Sequence, residues 1–184
     1  MTTDFKKLLS EAALYRFFSL CFQYPRKGLS DEMLAVRGET GNNELPLPPS
    51  DETLEDEYHY ILGSGGCCSP CESEHSGDRL GGKGRIMADV AGFYRAFGFI
   101  PDIETKSPVD DIAVELSFLS FSTFKEAYAR YQGKEEEAGL CAEAKRKFMK
   151  EHLLIWIGSF SGKLKESAPE SFYAKISVTL KDSI

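Results

Sequence analysis

The fold is decided by one stretch, Leu14-Tyr15-Arg16-Phe17-Phe18-Ser19-Leu20-Cys21-Phe22. Its apolar residues go nearly all the way round a helical wheel, and a helix of that kind is covered by other helices rather than by water. The residues before it are one-sided: Phe5, Leu8, Leu9 and Ala12 share a single face. The reading is a helix over 3–23 whose second half is central to a bundle, stopped by Pro25. Arg16 interrupts the stretch, which is also far shorter than the ~20 apolar residues that cross a bilayer.

Working outward, the pattern stays helical. A short helix is expected over 30–37 with Ser30 as its cap. Residues 38–50 are loop by composition. Ser50 then caps an acidic helix over 51–62, with Asp51 and Glu52 in the first turn, where negative charge suits the helix dipole. Residues 63–84 break the run: they hold seven glycines and three of the five cysteines, without hydrophobic period. A loop this long inside a compact domain is usually functional or mobile.

The helices then resume. Ile86, Met87, Val90, Phe93, Tyr94 and Phe97 form an amphipathic stripe that Gly98 ends. Ser107-Pro108 reads as a cap and first-position proline for the next helix, with Asp110 and Asp111 in its first turn. The stripe of that helix is Val114, Phe118, Phe121, Phe124, Tyr128 and Tyr131. A long helix over 135–159 places Cys141, Ala144, Phe148, His152 and Ile155 on one face, and a last helix covers 169–180. Strand signals are almost confined to the β-branched character of 176–180, and there is no internal repeat. The expectation is an all-α bundle of about six to eight helices. It forms one domain over 1–184, with 63–84 as a long loop within it.

The chain has 184 residues, enough for one sizeable core. Hydrophobic residues make up 42% and charged residues 28%, an ordinary globular composition. A net charge of −7 argues against nucleic acid as the main partner, since phosphate binding needs clustered Lys and Arg. It is compatible with a basic peptide partner. The start, Met1-Thr-Thr-Asp-Phe-Lys-Lys, lacks the layout of a secretory signal, so the expected location is the cytoplasm, without membrane insertion. Five cysteines in a reducing compartment read as free thiols or ligands rather than a disulfide framework.

Two clusters in the loop invite a chemical reading. Cys67-Cys68-Ser69-Pro70-Cys71 is followed by His75, and Cys68-x-x-Cys71 has the spacing of a metal half-site. A closed zinc site needs four ligands, and no second half-site exists in the sequence. Residues 77–84 match GxxxxGK and then fail, because Gly84 stands where a Ser or Thr would hold Mg²⁺ and no strand precedes the loop. Lys83 and Arg85 at the helix start remain able to bind an anion weakly. A metal- or nucleotide-binding protein using 67–85, with Cys67, Cys68, Cys71 and His75 as ligands, is therefore the alternative reading. The favoured one has no metal and no cofactor. His152, on an apolar stripe near Trp156, reads as a hydrogen-bonded core residue, and His59, among acidic residues, as a surface one. No nucleophile, base and orienting group stand in a recognisable order, so no catalytic residue is assigned and the chain is not read as an enzyme.

Three segments in order carry a resemblance. The first is the acidic helix Leu54-Glu-Asp-Glu-Tyr58-His-Tyr-Ile-Leu62 followed by Pro70-Cys71-Glu72-Ser73. The second is Asp110-Asp111-Ile112-Ala-Val-Glu115-Leu116-Ser-Phe118-Leu119. The third is Phe148-Met-Lys-Glu-His152-Leu153-Leu-Ile-Trp156, followed by Phe160 and Phe172-Tyr173. Together they resemble the TorD/DmsD/NarJ-type redox-enzyme maturation chaperones, which are molybdoenzyme-specific and nitrate reductase delta subunit-like. The resemblance covers 5–180. It departs twice from the family pattern: Cys71 stands where an aromatic is usual, and Asp111 where a histidine is usual. The second departure adds negative charge where a basic peptide would dock.

The resemblance implies a TorD-like fold and binding without catalysis. Such a chaperone holds the catalytic subunit of a molybdopterin-dependent oxidoreductase, by its twin-arginine leader or its body, during cofactor insertion before export. Clients of the family include nitrate, sulfoxide, amine-oxide, chlorate and hydrocarbon-oxidising enzymes. Paired arginines beside an apolar stretch suit a groove of carboxylates and aromatic surface. The residues expected to bind the client peptide are Tyr58, Pro70, Glu72, Ser73, Asp110, Asp111 and Glu115. The competing structural roles are helix-dipole charge for Asp110 and Asp111, and loop-anchoring hydrogen bonds for Glu72 and Glu115. Long inter-helix loops permit exchange between copies, so the expected state is a monomer or a weak, domain-swapped dimer.

Overall fold

A computed structural model describes residues 3–76, 82–101 and 107–184. Among these residues it contains eight α-helices and no named strand. They are α1 (Thr3–Phe22), α2 (Leu29–Thr40), α3 (Asp51–Ile61), α4 (Gly82–Phe97), α5 (Ile112–Tyr131), α6 (Glu135–Phe148), α7 (Leu154–Ser167) and α8 (Phe172–Ser183). A 3₁₀ turn at Glu72–Glu74 lies in the long loop, and a π turn at Met149–Leu153 joins α6 to α7. The chain is thus all-α, as the sequence reading expects.

The centre is where the opening stretch places it. Phe17, Phe18, Leu20, Cys21 and Phe22 of α1 are buried, and α1 runs along α5 and α2. Ser19 inside that stretch is buried too, and its hydroxyl donates to Ala113 O at 2.7 Å. α5 packs on α6, α7 pairs with α8, and buried apolar side chains from Tyr15 to Leu180 form one cluster. Phe118 is the hub of its aromatic part, with Phe93, Tyr94, Phe97, Phe99 and Phe148 around it at ring distances of 4.8–6.4 Å.

Several expected boundaries hold: Ser50 accepts from Thr53 N–H as the cap of α3, and Gly98, at φ +67°, follows α4. Others shift for identifiable reasons. Ser30 is not the cap of α2. Asp51 reaches across from α3, accepting from Gly28 N–H at 2.6 Å and Ser30 N–H at 2.8 Å. One carboxylate therefore satisfies the donors that a local cap would have taken. α5 does not start at Ser107-Pro108. The chain turns at Val109 and Asp110, with Asp111 N–H donating to Pro108 O at 3.1 Å, and is extended at Asp111, which is the cap of α5 and accepts from Ala113 N–H. α4 starts at Gly82, taking the last three residues of the expected loop, and α7 runs on to Ser167, beyond the expected end at 159.

Two expected stripes also change. Ile155 is 46% exposed while Leu153 and Trp156 are fully buried. The π turn inserts an extra residue, so the face predicted by a 3.6-residue period slips out of phase after His152. On α5, Phe124, Tyr128 and Tyr131 are exposed, and Leu119, Ser122, Thr123, Ala127 and Ala129 are buried instead. Small side chains let neighbouring helices approach closely, so this half of α5 packs through them. Its aromatics line open grooves, and Phe124 borders both the α1–α5 groove and the α4–α5–α6 groove. No helix among the described residues is long and apolar enough to cross a membrane.

Candidate functional site

The sequence-predicted residues come together where the long loop meets the start of α5. Cys71 and Asp111 form an isolated antiparallel bridge. Around it, Ile112 N–H donates to Pro70 O at 2.8 Å and Glu72 N–H to Asp110 O at 2.9 Å. Asp110 Oδ2 also accepts from Ser73 N–H at 3.0 Å. Pro70-Cys71-Glu72-Ser73 is thereby zipped to 110–112, which explains why the chain around Asp111 is extended rather than helical.

Beneath this zip lies a buried polar core. Glu72, Glu115, His152 and Trp156 are all fully buried. His152 Nδ1–H donates to Glu72 Oε2 at 2.8 Å, and its Nε2 lies 4.0 Å from Asp89 Oδ2 on α4. Trp156 Nε1–H donates to Glu115 Oε2 at 3.2 Å. Burial, and next the charge of Glu72, push the Glu115 carboxyl well above its ordinary range, against the Trp156 hydrogen bond. Next to another carboxyl in a dry site, the neutral form of Glu115 is therefore favoured. The π turn carries His152 at this point of the α6–α7 rod. His75 stacks on Trp156 at 5.4 Å, and its Nε2–H donates to Ser69 O at 2.7 Å, pinning the other end of the loop.

Above the zip is an open groove of about 630 Å³. Tyr24, Tyr58 and His59 form one wall, 63–66 the lip, and Pro70, Cys71, Pro108 and Asp111 the other side. Tyr24 and Tyr58 meet edge to face at 5.2 Å, and Tyr58 is braced by Tyr173 at 6.1 Å. Tyr24 Oη lies 3.3 Å from His59 Nε2. Among the described residues, the groove is lined by the Asp111 carboxyl and by no Lys or Arg. Burial, with a smaller push from Asp110, raises Asp111 to about 7 despite the Ala113 N–H bond. Burial also raises Tyr58 to about 12 and Cys71 to about 12, with Asp111 the next cause for both. The phenol and thiol are therefore neutral at physiological pH.

The seven predicted residues thus divide. Tyr58, Pro70 and Asp111 line the groove. Glu72, Ser73, Asp110 and Glu115 form the zip and the core below it, with Glu72, Asp110 and Glu115 at most 1% exposed. Tyr24 was missed, though an aromatic between the end of the central helix and Pro25 is a signal of a surface-facing turn. The pairing of His152 with Glu72 was also missed. Its signal was the occurrence of both residues within the quoted family segments.

The alternative ligands do not converge. Cys67 is exposed, Cys68 is buried with its Sγ 4.0 Å from Phe160 O, and Cys71 faces the groove. Among the described residues, no group of three or more His, Cys, Asp or Glu side chains is arranged to hold a metal ion. Most of the GxxxxGK match, residues 77–81, lies outside the described residues. Lys83 pairs with Glu74, and Gly84 is inside α4.

Comparison with known proteins adds four findings. A family model described as the nitrate reductase delta subunit matches residues 43–161, a span that contains the whole buried core from Glu72 to Trp156. The chlorate reductase assembly chaperone protein of Ideonella dechloratans is 30% identical over 175 residues, covering 94% of this chain and 85% of that protein. The perchlorate reductase assembly chaperone protein of Dechloromonas aromatica (strain RCB) is 26% identical over 91 residues, 50% of this chain and 40% of that one. A crystal structure from Archaeoglobus fulgidus, described as a redox enzyme maturation protein, superposes with a TM-score of 0.64 at 21% identity. It covers 94% of this chain and 92% of its own, a likeness of fold.

Proposed function

Because this chain belongs to the nitrate reductase delta subunit family, we propose that it is an assembly chaperone and not an enzyme. It holds the catalytic subunit of a molybdopterin-dependent oxidoreductase in the cytoplasm while the cofactor is inserted, before export. The observation that carries this reading is the match along nearly the whole chain to a chlorate reductase assembly chaperone. The geometry agrees with it. The family segments are spent on fastening a loop to the bundle, and what they leave open is a groove with aromatic walls and one carboxyl.

In this reading the groove at Tyr24, Tyr58, Pro70 and Asp111 receives a segment of the client, its twin-arginine leader. Glu72, Ser73, Asp110 and Glu115 act through the groove's shape, as positioning residues. A groove of this size takes one or two side chains with their backbone, so the leader's arginine pair is the part it grips. The test is titration calorimetry of the purified chain with a synthetic leader peptide carrying an Arg-Arg pair followed by an apolar stretch. Binding that Tyr58→Ala weakens at least tenfold, in a protein that still unfolds in one cooperative thermal transition, supports the groove. Equal affinity in wild type and Tyr58→Ala removes it from the account.

A further inference from the structure

α6 carries its charge in two blocks. Glu135, Glu136 and Glu137 fill its first turn, and Lys145, Arg146 and Lys147 its last. Its buried face is Ala138, Cys141, Ala144 and Phe148. A second face, Glu136, Leu140, Glu143 and Lys147, keeps the i, i+4, i+7, i+11 spacing of one stripe and is exposed along its length. Leu140 stands at the middle of that stripe, 58% exposed, and borders two open grooves. One, of about 360 Å³, lies between α6 and α4, beside Gly92 and Ala96. The other, of about 310 Å³, lies towards α5, beside the exposed Phe124 and Tyr128.

The rim of this surface selects against a partner of one charge. Asp89, Glu137 and Glu143 border the grooves together with Lys125 and Lys147. A strongly basic or strongly acidic segment meets like charge somewhere along it. An ordered surface with both signs instead matches itself, provided the second copy is turned end for end. In a twofold pair, residue i meets j wherever j meets i.

We propose that the exposed face of α6 is a homodimer interface, in which two folded copies dock α6 against α6 in antiparallel fashion. An axis level with Cys141 and Ala142 sets Glu136 opposite Lys147, and Leu140 opposite Glu143, twice each. The acidic start of each helix then meets the basic end of the other, and the helix dipoles oppose. A parallel pair would bring like blocks together. The charged groups are suited to this. Glu135 is paired with Arg130 and Glu137 with Lys134, whereas Glu136 has no ion pair among the described residues. Lys147 lies 4.0 Å from Glu151 and 5.6 Å from the centre of the Phe93 ring. Each Leu140 enters the partner's groove between Glu143 and Gly92, where small residues leave room. The face shares no residue with the groove at Tyr58 and Asp111, so pairing leaves that groove open. One helix face with its borders is at the low end of interface size, so the expected Kd is about 10–100 µM.

The test is sedimentation velocity of the purified full chain at concentrations bracketing that Kd. Wild type passes from monomer to dimer, and the dimer weakens as salt rises. Leu140→Glu stays monomeric while keeping the wild-type circular dichroism and thermal midpoint, because the side chain is exposed. Glu136→Lys and Lys147→Glu are each monomeric alone, since each sets like charges opposite one another. Mixed in equal amounts, these two variants form a heterodimer, because both opposed pairs are again of unlike charge.

A wild type that stays monomeric throughout overturns the proposal. So does a dimer that persists in Leu140→Glu or in Glu136→Lys, which places the contact elsewhere or in exchanged helices. A mixture of the two charge variants that does not associate overturns the antiparallel pairing. A monomeric wild type whose Leu140→Glu variant no longer co-purifies with the catalytic subunit gives this face to the client instead, and overturns the proposal in that way. Binding of the leader peptide to the Leu140→Glu protein is read separately, so the client reading and this one fail independently.

Discussion

Glu72 and His152 form the pair on which the loop depends. Both are fully buried and 2.8 Å apart, so removing either takes a hydrogen-bond partner from the other in a dry site. His152→Ala should cost about 3–5 kcal/mol, seen as a fall in thermal midpoint of about ten degrees or more. Glu115 is the opposite case. Its folded-state carboxyl titrates well above the ordinary range, so it contributes stability below the unfolded value and loses it as pH rises toward the folded one. Glu115→Gln mimics the protonated form and keeps an acceptor for Trp156. It should be at least as stable as wild type at pH 8, with a flatter stability profile between pH 5 and 8; a steeper one would mean Glu115 is ionised in the fold. None of this pairing can be read from spacing. Glu72 and His152 are 80 residues apart and share no helix. The sequence marks each as a non-surface oddity, Glu72 in a named segment and His152 on an apolar stripe, but not as partners.

At the scale of elements, what sequence reads best is what local chemistry decides. The central helix, the Ser50 cap and the Gly98 stop follow from apolar pattern and backbone preference. What it reads poorly is decided across elements. The cap of α2 comes from Asp51, and the start of α5 is delayed because Asp111 bridges Cys71. The stripe after His152 slips by one residue at a π turn. The aromatic pattern of α5 suggests a buried face, yet the close approach to α1 and α6 selects the small residues beside it. The groove lip shows the same dependence on a distant neighbour. A Cβ at Gly66 would stand 2.5 Å from Ile61 O and 2.7 Å from Ile61 C, both backbone atoms that cannot swing away. Gly66→Ala should therefore cost about 1–3 kcal/mol by urea unfolding. It should also weaken leader-peptide binding, because the lip that it displaces borders Tyr58 and Asp111.

For the whole molecule, one apolar cluster from α1 to α8 ties the loop, the zip and the groove into a common body. The sequence reading reached that body and its family from three ordered segments, and it assigned seven residues to one place. The structure brings those residues near one another and divides them between a groove and the packing beneath it. It turns an acidic chain of net charge −7 into something more specific: a single carboxyl facing an aromatic wall, with three more buried behind it. The account's central claim is that this body holds an unfinished oxidoreductase subunit. Its most direct test is co-expression of the tagged chain with the catalytic subunit of a molybdopterin-dependent reductase from the same genome, in cells that cannot make the pterin. The account predicts recovery of a stoichiometric complex from these cells, and release of the subunit when pterin synthesis is restored. Failure to recover that subunit, while the tagged chain is folded and abundant, would contradict it.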